Sequence, residues 1–510
     1  MTTRRTAMAS FVQYLGHAGF IVQHGGVKIL IDPWFHSAFL HSWFPYPDNR
    51  HLLSEVRSER FNYLYVSHAH EDHYDERLLR MLDRSVTVIA PKYRSKGMVR
   101  RFHGLGFGNV IALDHQESHE LTPGFVATMY LDTSHKEDSG LLLDMNGFRL
   151  LDLNDCNTPM SELPKQVDLL AAQFSGAMWY PGCYDYPPEV MQKKVDSVRH
   201  ALMDTLYRKV KLTNAKAYIP SAGPPCFLDP VLERHNDRQR TIFPQWEDVA
   251  DAFRKACPHV EVLRIYPGDS VRIEGARPVV DRMSGARTHE DVREYRQRRR
   301  DEWGEFYAAP ESPITSDEIA GYFSRLQRRN NHLLQDFHKD IRLSSGGRLW
   351  SIRLGGTAEP LVIEGEEQNE PEYTIVLSPR VLRALLDGGT GWEEALLSMR
   401  LALHREPDVF DLRFMSLLRY GDEPVQTLQL VRDQSVTETI ERDGLRMQRF
   451  CPHAGEDLTH AIIRDGIIEC PRHHWQWDAR TGKCLAGGNL RLRVEVLEVE
   501  RTDPEIEEGA

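Results

Sequence analysis

The sequence lacks long apolar stretches. No run of about eighteen apolar residues occurs anywhere in its 510 residues, so a membrane-spanning helix is not expected. The N-terminal segment "MTTRRTAMASFVQYLGHAGF" carries charge but no apolar core, so a secretory signal peptide is not expected either.

Positive charge is scarce relative to negative charge. The 63 Lys and Arg residues are outnumbered by 75 Asp and Glu residues, which gives a formal net charge of −12. An acidic surface repels nucleic acids and anionic membranes, so we expect neither as a partner. The apolar content of 41% is that of a soluble globular protein, and the length predicts roughly two to four domains.

Cysteine is also sparse, with seven residues scattered along the chain. An odd number without regular spacing argues against a framework of disulfides. A reducing cytoplasm is therefore the expected location, and it would also protect an iron–sulfur cluster.

The pattern along the chain predicts three domains and a linker. Residues 1–275 alternate short apolar strands with helices, including hairpins that turn at Gly25-Gly26 and Asn146-Gly147, which indicates a layered α/β domain. The charged segment 276–313 is predicted to be a linker helix. Residues 314–420 predict a small α+β domain. Residues 425–505 predict an all-β domain, with "TLQLVRD" and Leu490–Val499 among its strands.

Two short motifs near the end of the chain mix cysteine with histidine. Cys451 and His453 form a Cys-x-His pair, and Cys470 and His473 form a Cys-x-x-His pair. A Rieske [2Fe-2S] cluster takes two Cys on one iron and two His on the other, so each motif supplies one of each. A zinc site is the alternative, but zinc sites of this size usually keep like ligands together. His474 is a candidate exit point for electrons, and Cys484 is predicted to be a packed thiol.

The segment "SHAHEDHYD" places four metal donors in one loop after a predicted strand. His68 and His70 are predicted to bind one ion, and Asp72 and His73 a second. His135 is the best further ligand for the first ion, and Asp155 is the best bridging carboxylate, with Asp152 as its rival. The remaining candidates are a possible last ligand, His235, and three histidines expected in loops or behind the ligands: His17, His36 and His41.

This His-x-His-x-Asp-His cluster resembles the metallo-β-lactamase superfamily. The resemblance implies a four-layer αββα fold and a site for zinc or iron, which this donor set suits equally. Most members of that superfamily hydrolyse, and some carry iron and do redox chemistry. A hydrolase has no use for electrons, so the Rieske motif favours an oxygen-activating non-haem iron site of one or two ions.

The combination also resembles the cytidine-monophospho-N-acetylneuraminate hydroxylase family. The matching segments are "IDPWFHSAF", "LYVSHAHEDHYD", "LLDLNDCNTP", "FSGAMWYPGCY", "IPSAGPPCF" and "CPRHHWQWDARTGKC". The third segment favours Asp155 over Asp152. The order departs from that family, in which the Rieske domain comes first. The inserted segment 314–420 resembles the sterol carrier protein type-two fold, and we expect it to be a packing or dimer module rather than a ligand carrier.

The sequence thus predicts a Rieske-dependent non-haem iron monooxygenase that hydroxylates or N-oxygenates a small polar substrate with molecular oxygen. No credible flavin or nicotinamide motif is present, so an external donor is implied: a ferredoxin, a reductase or a small haem protein. The alternatives are a zinc hydrolase with a regulatory Rieske domain, and a di-iron protein that only reduces oxygen. Because the two sites are remote in sequence, a homo-oligomer is one way to bring them together.

Overall fold

A computed structural model describes residues 10–497 of the chain. The positions left out of this description are 135, 276, 284, 286–289, 309–310, 335–336, 357–358, 366–369, 423, 436, 454 and 472–473. The predicted ligands His135 and His473 therefore lie outside the described residues.

The N-terminal domain contains two large sheets. Its strands are β1 (Ser10–Gly16), β2 (Gly19–His24), β3 (Val27–Ile31), β4 (Trp43–Phe44), β5 (Tyr63–Tyr65), β6 (Thr87–Pro91), β7 (Val110–Leu113), β8 (Ser118–Thr122), β9 (Phe125–Leu131), β10 (Ser139–Met145), β11 (Phe148–Asn154), β12 (Leu169–Gln173), β13 (Ala217–Ser221), β14 (Cys226–Phe227), β15 (Glu261–Val262), β16 (Ser270–Glu274) and β17 (Arg277–Asp281). One sheet has the order β17-β16-β1-β2-β3-β5-β6-β7, the other the order β15-β13-β12-β11-β10-β9-β8, and β4 pairs with β14.

Helices cover the outer faces of both sheets. They are α1 (Leu53–Ser58), α2 (Glu76–Leu79), α3 (Gly97–Gly104), α4 (Pro188–Thr213) and α5 (Trp246–Ala256), together with 3-10 turns at Arg50–Leu52, Met160–Glu162 and Pro230–Asn236. The predicted hairpins are confirmed: β2 and β3 join through Gly25-Gly26, and β10 and β11 through Asn146-Gly147, all four residues having positive φ.

Apolar side chains bind these elements into four layers. One core joins the facing sides of the two sheets and includes Ile29 and Leu64 of the first sheet and Leu143 of the second, while Phe102 of α3 belongs to the same cluster. A separate core packs the outer side of the second sheet against α4 and α5. The predicted αββα architecture is confirmed.

The segment predicted as a linker helix is different in the structure. Its beginning, β17, pairs with β16 and extends the first sheet. Two helices follow, α6 (Val292–Arg298) and α7 (Arg300–Ala308), and they pack on the N-terminal domain. Tyr295 is fully buried and donates to the Pro45 carbonyl, and Arg299 donates to the Phe35 carbonyl. The charged composition of the segment had suggested an exposed linker, although Tyr295 and Arg299 are buried.

The middle domain is a sheet covered by helices, as its α+β prediction required. It contains α8 (Ser316–Arg329), α9 (Asn331–Leu334), β18 (His338–Ser345), β19 (Arg348–Gly355), β20 (Leu361–Glu364), β21 (Tyr373–Leu377), α10 (Pro379–Leu386), α11 (Trp392–Leu397), β22 (Leu401–Arg405) and α12 (Leu412–Tyr420). The strand order is β20-β19-β18-β21-β22. Its core is continuous with that of the N-terminal domain, because Trp43 and Tyr184 belong to the same cluster as Trp350 and Leu396.

The C-terminal region starts with a helix where a strand was predicted. "TLQLVRD", predicted as a strand, lies in the helix α13 (Pro424–Ser435), whose Leu430 packs in the middle-domain core. The β-rich part follows, with β23 (Thr439–Arg442), β24 (Leu445–Gln448), β25 (Ile462–Arg464), β26 (Ile467–Glu469), β27 (Gln476–Asp478), β28 (Val494–Val496) and a 3-10 turn at Leu458–His460. The strand predicted for Leu490–Val499 is thus limited to β28. No helix in the described ranges has the length and apolarity that crossing a membrane requires.

Candidate metal centres

The metal-donor loop of the N-terminal domain begins where β5 ends. β5 is parallel to its neighbours β3 and β6, so their carboxyl ends meet at one edge of the sheet. Asp32 follows β3 at this edge and is fully buried; it accepts hydrogen bonds from the backbone N–H of Ser67 at 2.7 Å and from its hydroxyl at 2.6 Å. These bonds fix the start of the loop that carries His68, His70 and Asp72.

The first donor group consists of His17, Asp72 and His73, all buried. His17 Nε2 lies 3.2 Å from Asp72 Oδ2, and His73 Nε2 lies 3.9 Å from the same oxygen. The other ring nitrogens have partners, because His17 Nδ1 lies 2.8 Å from the Gly223 carbonyl and His73 Nδ1 lies 2.8 Å from Asp32 Oδ2. Such contacts leave both Nε2 atoms available to a metal ion.

The second donor group consists of His68, His70 and Asp155. His68 Nε2 lies 2.8 Å from His70 Nδ1 and 3.9 Å from Asp155 Oδ2. The other carboxylate oxygen of Asp155 lies 3.6 Å from His73 Nε2, so this side chain stands between the two groups. The arrangement supports the predicted split of the loop between two ions and the predicted bridging role of Asp155.

The residues fit a pair of metal ions. Four buried atoms of these groups have no hydrogen-bond partner in the described part of the chain: His17 Nε2, Asp72 Oδ1, His73 Nε2 and Asp155 Oδ1. Leaving several buried polar atoms unsatisfied at one point is costly, and metal ions would satisfy them together. Imidazole and carboxylate ligands suit zinc and iron equally.

The charges in the pocket are those of a cation site. Burial opposes ionisation, yet His73 and His17 hold the pKa of Asp72 well below its usual value. Burial likewise opposes protonation of His73, but the carboxylates of Asp155, Asp72 and Asp32 raise its pKa well above the ordinary value. Burial and the nearby His73 lower the pKa of His68, which keeps its imidazole neutral as a ligand requires.

The C-terminal donor group consists of Cys451, His453 and Cys470, all buried. Cys451 follows β24 closely and Cys470 follows β26 directly, as predicted for a pair of ligand loops. Cys451 Sγ lies 2.8 Å from His453 Nδ1, and the ring of His453 stacks on Trp475 with centroids 4.7 Å apart. Burial raises the pKa of the Cys451 thiol, so a bound cation is needed to hold its thiolate form.

The C-terminal loops rest on the N-terminal domain within the same chain. The backbone N–H of Met160 donates to Glu456 Oε1 at 3.3 Å, and a Cβ built on Gly455 would stand 3.9 Å from Ser134 Cβ. Ser134 adjoins His135, and Met160 follows Asp155 by one short segment. The loop of Cys451 therefore contacts the segment that follows Asp155 and passes close to the residue that precedes His135.

A second contact joins the Cys470 loop to helix α4. Arg208 Nη1 donates to the Pro471 carbonyl at 3.2 Å, and Arg208 Nη2 lies 3.6 Å from Glu469 Oε1. His474 Nε2 lies 3.1 Å from Asp204 Oδ2. No second subunit is needed for these contacts, so an oligomer is not required to bring the two donor loops together.

Comparison with known families matches both ends of the chain. Residues 11–172 match the beta-lactamase superfamily domain, and residues 418–493 match the Rieske [2Fe-2S] domain. The chain joins a metallo-β-lactamase-fold domain to a Rieske domain. The Rieske domain is a [2Fe-2S] domain, and Cys451, His453 and Cys470 are the candidates to bind its cluster.

Several known proteins resemble the chain over much of its length. One from Mycolicibacterium smegmatis, named as a Rieske 2Fe-2S iron–sulfur protein, is 28% identical over 95% of this chain and all of the relative. Cytidine monophosphate-N-acetylneuraminic acid hydroxylase of Xenopus laevis is 26% identical over 79% of this chain and 70% of its own. Among solved structures, the diiron beta-hydroxylase CmlA of Streptomyces venezuelae is 19% identical and aligns over 52% of this chain and 55% of its own with a TM-score of 0.36.

Several predicted site residues have other places in the metallo-β-lactamase-fold domain. His235 belongs to none of the donor groups of the described residues, and it is buried against the Phe227 ring at 5.1 Å between centroids. Asp152, the rival of Asp155, is also outside these groups. His36 pairs with Asp75 at 2.9 Å, as expected of a loop residue. Cys484 of the Rieske domain is a buried free thiol outside the donor groups.

His17 is the site residue that the sequence interpretation missed. We expected it to lie behind the ligands, yet it belongs to the first donor group. It sits in the short turn between β1 and β2 with φ of 52°, far along the chain from the loop of Asp72. The only signal in the sequence was its position between two glycines in "LGHAGF", which by itself identifies no ligand.

Proposed function

We propose that this chain is a Rieske-dependent non-haem iron monooxygenase that hydroxylates, or N-oxygenates, a small polar substrate. The observation that carries the proposal is the contact of the Cys451 loop with the segments that flank His135 and Asp155. A redox domain placed against a metal site by the same chain is what delivery of electrons to that site needs. The relatives named as hydroxylases support an oxygenase over a hydrolase.

The reaction consumes one oxygen molecule, two electrons and two protons, and yields hydroxylated substrate and water. When bound, iron at the His/Asp site supplies reductive activation of oxygen, and the cluster supplies single electrons from an external ferredoxin, reductase or small haem protein. Residues of this chain orient the imidazole rings that would bind the metal. Asp32 and the Gly223 carbonyl aim the rings of His73 and His17 at the centre of the site.

A short route of bonds connects the two sites. The backbone N–H of Cys451 donates to the Glu456 carbonyl at 2.8 Å, and the carboxylate of Glu456 accepts from Met160. From Met160 the chain leads back to Asp155, which stands between the two donor groups. Glu456, in the middle of this route, is fully buried.

The substrate reaches the site from the side of His70. The side chain of His70 is 31% exposed and that of Asp155 13%, whereas those of Asp72 and His73 are 3% and 1% exposed. An approaching molecule therefore meets the second donor group first. Because relatives from Asterias rubens and Xenopus laevis are named cytidine monophosphate-N-acetylneuraminic acid hydroxylase, this nucleotide sugar is the first substrate to test.

A zinc hydrolase with a regulatory Rieske domain is the alternative, because the same donors suit zinc. Metal analysis of the full-length protein separates the two: about three to four irons per chain support the oxygenase, whereas about two irons plus zinc support the hydrolase. Electron paramagnetic resonance of the dithionite-reduced protein identifies the cluster irons.

A single-turnover experiment tests the proposed function directly. The protein is reduced, mixed with ¹⁸O₂ and the nucleotide sugar, and followed by cluster reoxidation and product mass. We expect one labelled oxygen in the product. The His70→Ala variant should keep the visible spectrum of the cluster and lose product formation, because only the oxygen-activating site is changed. Label found only in water supports a di-iron oxygen reductase without an organic substrate.

A further inference from the structure

The middle domain places a carboxylate beside the open side of the N-terminal metal site. Glu393 lies in the first turn of α11 and is buried, with only 6% of its surface exposed. Its Oε1 stands 3.7 Å from His70 Nε2. This is about 0.8 Å longer than an ordinary N–H···O bond, a gap that a small ring rotation closes.

A bidentate ion pair holds this carboxylate in position. Arg419 of α12 donates from Nε to Glu393 Oε2 and from Nη2 to Oε1. The guanidinium lies 4.6 Å from the centroid of the Trp179 ring, which belongs to the metallo-β-lactamase-fold domain. Bidentate Arg–carboxylate pairs are geometrically specific, so Glu393 has one orientation available.

Buried polar contacts hold the middle domain against the metallo-β-lactamase-fold domain at this interface. Arg400 of the middle domain donates to Asp229 Oδ2 at 2.7 Å and to the Leu40 carbonyl at 3.0 Å, and both charged side chains are buried. The backbone N–H of Leu403 donates to the Cys183 carbonyl at 2.7 Å. The distance between Glu393 and His70 is therefore set by the fold.

His70 presents its two nitrogens to different neighbours. Nδ1 faces the second donor group, at 2.8 Å from His68 Nε2, while Nε2 faces Glu393. A neutral imidazole carries one proton, and the nitrogen next to a carboxylate keeps it. Nδ1 then carries no proton, and its lone pair can bind a metal ion.

We propose that Glu393 is a positioning residue of the metal site, which accepts the Nε2 proton of His70 and thereby presents Nδ1 to the metal. The inference rests on the proposed role of His70 as a ligand. It gives the middle domain a task beyond packing, because the N-terminal metal site is incomplete without it. Carboxylates behind a ligand histidine fix its tautomer and raise its basicity.

Metal affinity tests the proposal without reference to turnover. Full-length protein that keeps its cluster but lacks metal at the His/Asp site is titrated anaerobically with Fe²⁺ against a colorimetric chelator. Glu393→Asp keeps the charge that Arg419 needs but withdraws the carboxylate from His70. We expect Fe²⁺ to bind about 10- to 100-fold more weakly, the usual effect of losing such a partner.

Glu394→Asp is the matched control. It shortens the neighbouring side chain in the same helix, whose carboxylate accepts from the Gly391 N–H at 3.1 Å and not from His70. We expect its Fe²⁺ affinity to equal that of the unchanged protein. A purely structural role for Glu393 would lower the melting temperature of the metal-free protein and leave Fe²⁺ affinity unchanged, which would overturn the proposal.

The unchanged chain provides a second readout that does not depend on how a variant folds. In ¹⁵N-histidine-labelled, Zn²⁺-loaded protein, the His70 signals should show a protonated Nε2 and a metal-bound Nδ1, with assignment from the His70→Ala spectrum. The reverse tautomer contradicts the proposal. If His70→Ala itself leaves Fe²⁺ affinity unchanged, the proposed function fails; if only Glu393→Asp does, this inference alone fails.

Discussion

The two metal sites of the chain are built in opposite ways. The described candidate ligands of the Rieske site come from two compact loops. Each loop is held by a hydrogen bond of its own: Gly455 N–H donates to the Cys451 carbonyl, and His474 N–H donates to the Cys470 carbonyl. The other site gathers donors from one loop, one hairpin turn and one strand end. Its supporting groups are just as dispersed, with Asp32 after β3 and Glu393 in the middle domain.

This difference determines what each site depends on. A cluster held by two loops of one small domain needs only that domain to fold. A site assembled where strands end needs two sheets in register, and by our inference it also needs the middle domain. We therefore expect the Rieske site to tolerate changes elsewhere in the chain better than the His/Asp site does.

The largest expected effect comes from removing a Rieske ligand. Cys470→Ser should bleach the visible spectrum of the cluster and end turnover, because a serine oxygen is a poor replacement for a thiolate on iron. The separate construction of the two sites predicts that Fe²⁺ affinity of the His/Asp site stays unchanged in the same variant. Absorption spectra and the chelator titration measure the two properties side by side.

Cys484→Ser is the matched control for this variant. The thiol of Cys484 is buried in the same domain, but it lies outside the donor group, so the spectrum should persist. Full activity in Cys470→Ser would refute the delivery of electrons through the cluster. A loss of Fe²⁺ from the His/Asp site would instead show that the two sites are not independent.

A smaller effect is expected from His17→Ala, which removes one donor from the first group and leaves the second intact. Bound iron should fall by about one ion per chain, and turnover should fall at least 100-fold, because even partners behind the ligands are worth about 10- to 100-fold. The cluster spectrum should not change. Metal content and single-turnover rates measure these outcomes.

His36→Ala is the control that matches His17→Ala. It removes an imidazole from the following loop, where His36 pairs with Asp75 rather than with a donor group. We expect metal content to stay at that of the unchanged protein. Equal iron content in the two variants would mean that His17 is not a ligand. The His/Asp site would then depend mainly on the local loop of His68 to His73, as the Rieske site depends on its own loops.

The sequence was sufficient wherever ligands are neighbours in the chain. Spacing alone identified the two places where donors cluster: the loop of His68, His70, Asp72 and His73, and the motifs of Cys451 and Cys470. The order of strands and turns predicted a layered α/β domain, and the four-layer αββα fold followed from the resemblance to the metallo-β-lactamase superfamily. Hairpin turns were equally clear, since Gly25-Gly26 and Asn146-Gly147 adopt the positive φ that their residue types favour.

What the sequence concealed depends on tertiary contacts. His17 becomes a donor only because the β1–β2 turn lies beside the loop of Asp72, and no local pattern encodes that contact. "TLQLVRD" alternates like a strand, but tertiary packing of Leu430 against the middle domain favours the helix α13. The docking of the Rieske loops on Met160 and Arg208 pairs residues hundreds of positions apart.

The smallest expected effect concerns the contact that joins the two sites. Arg208→Ala removes the bond to the Pro471 carbonyl and the ion pair with Glu469, both at a partly exposed position. Such pairs contribute about 1 kcal/mol or less, which corresponds to about fivefold in a rate. We expect reoxidation of the reduced cluster by oxygen to slow by up to about fivefold, with iron content and cluster spectrum unchanged.

Arg199→Ala is the matched control. Arg199 lies on the same helix but donates to the Arg238 carbonyl, so its removal should leave the reoxidation rate unaltered. If Arg208→Ala slowed reoxidation no more than Arg199→Ala does, the Met160–Glu456 contact alone would be left to align the two sites.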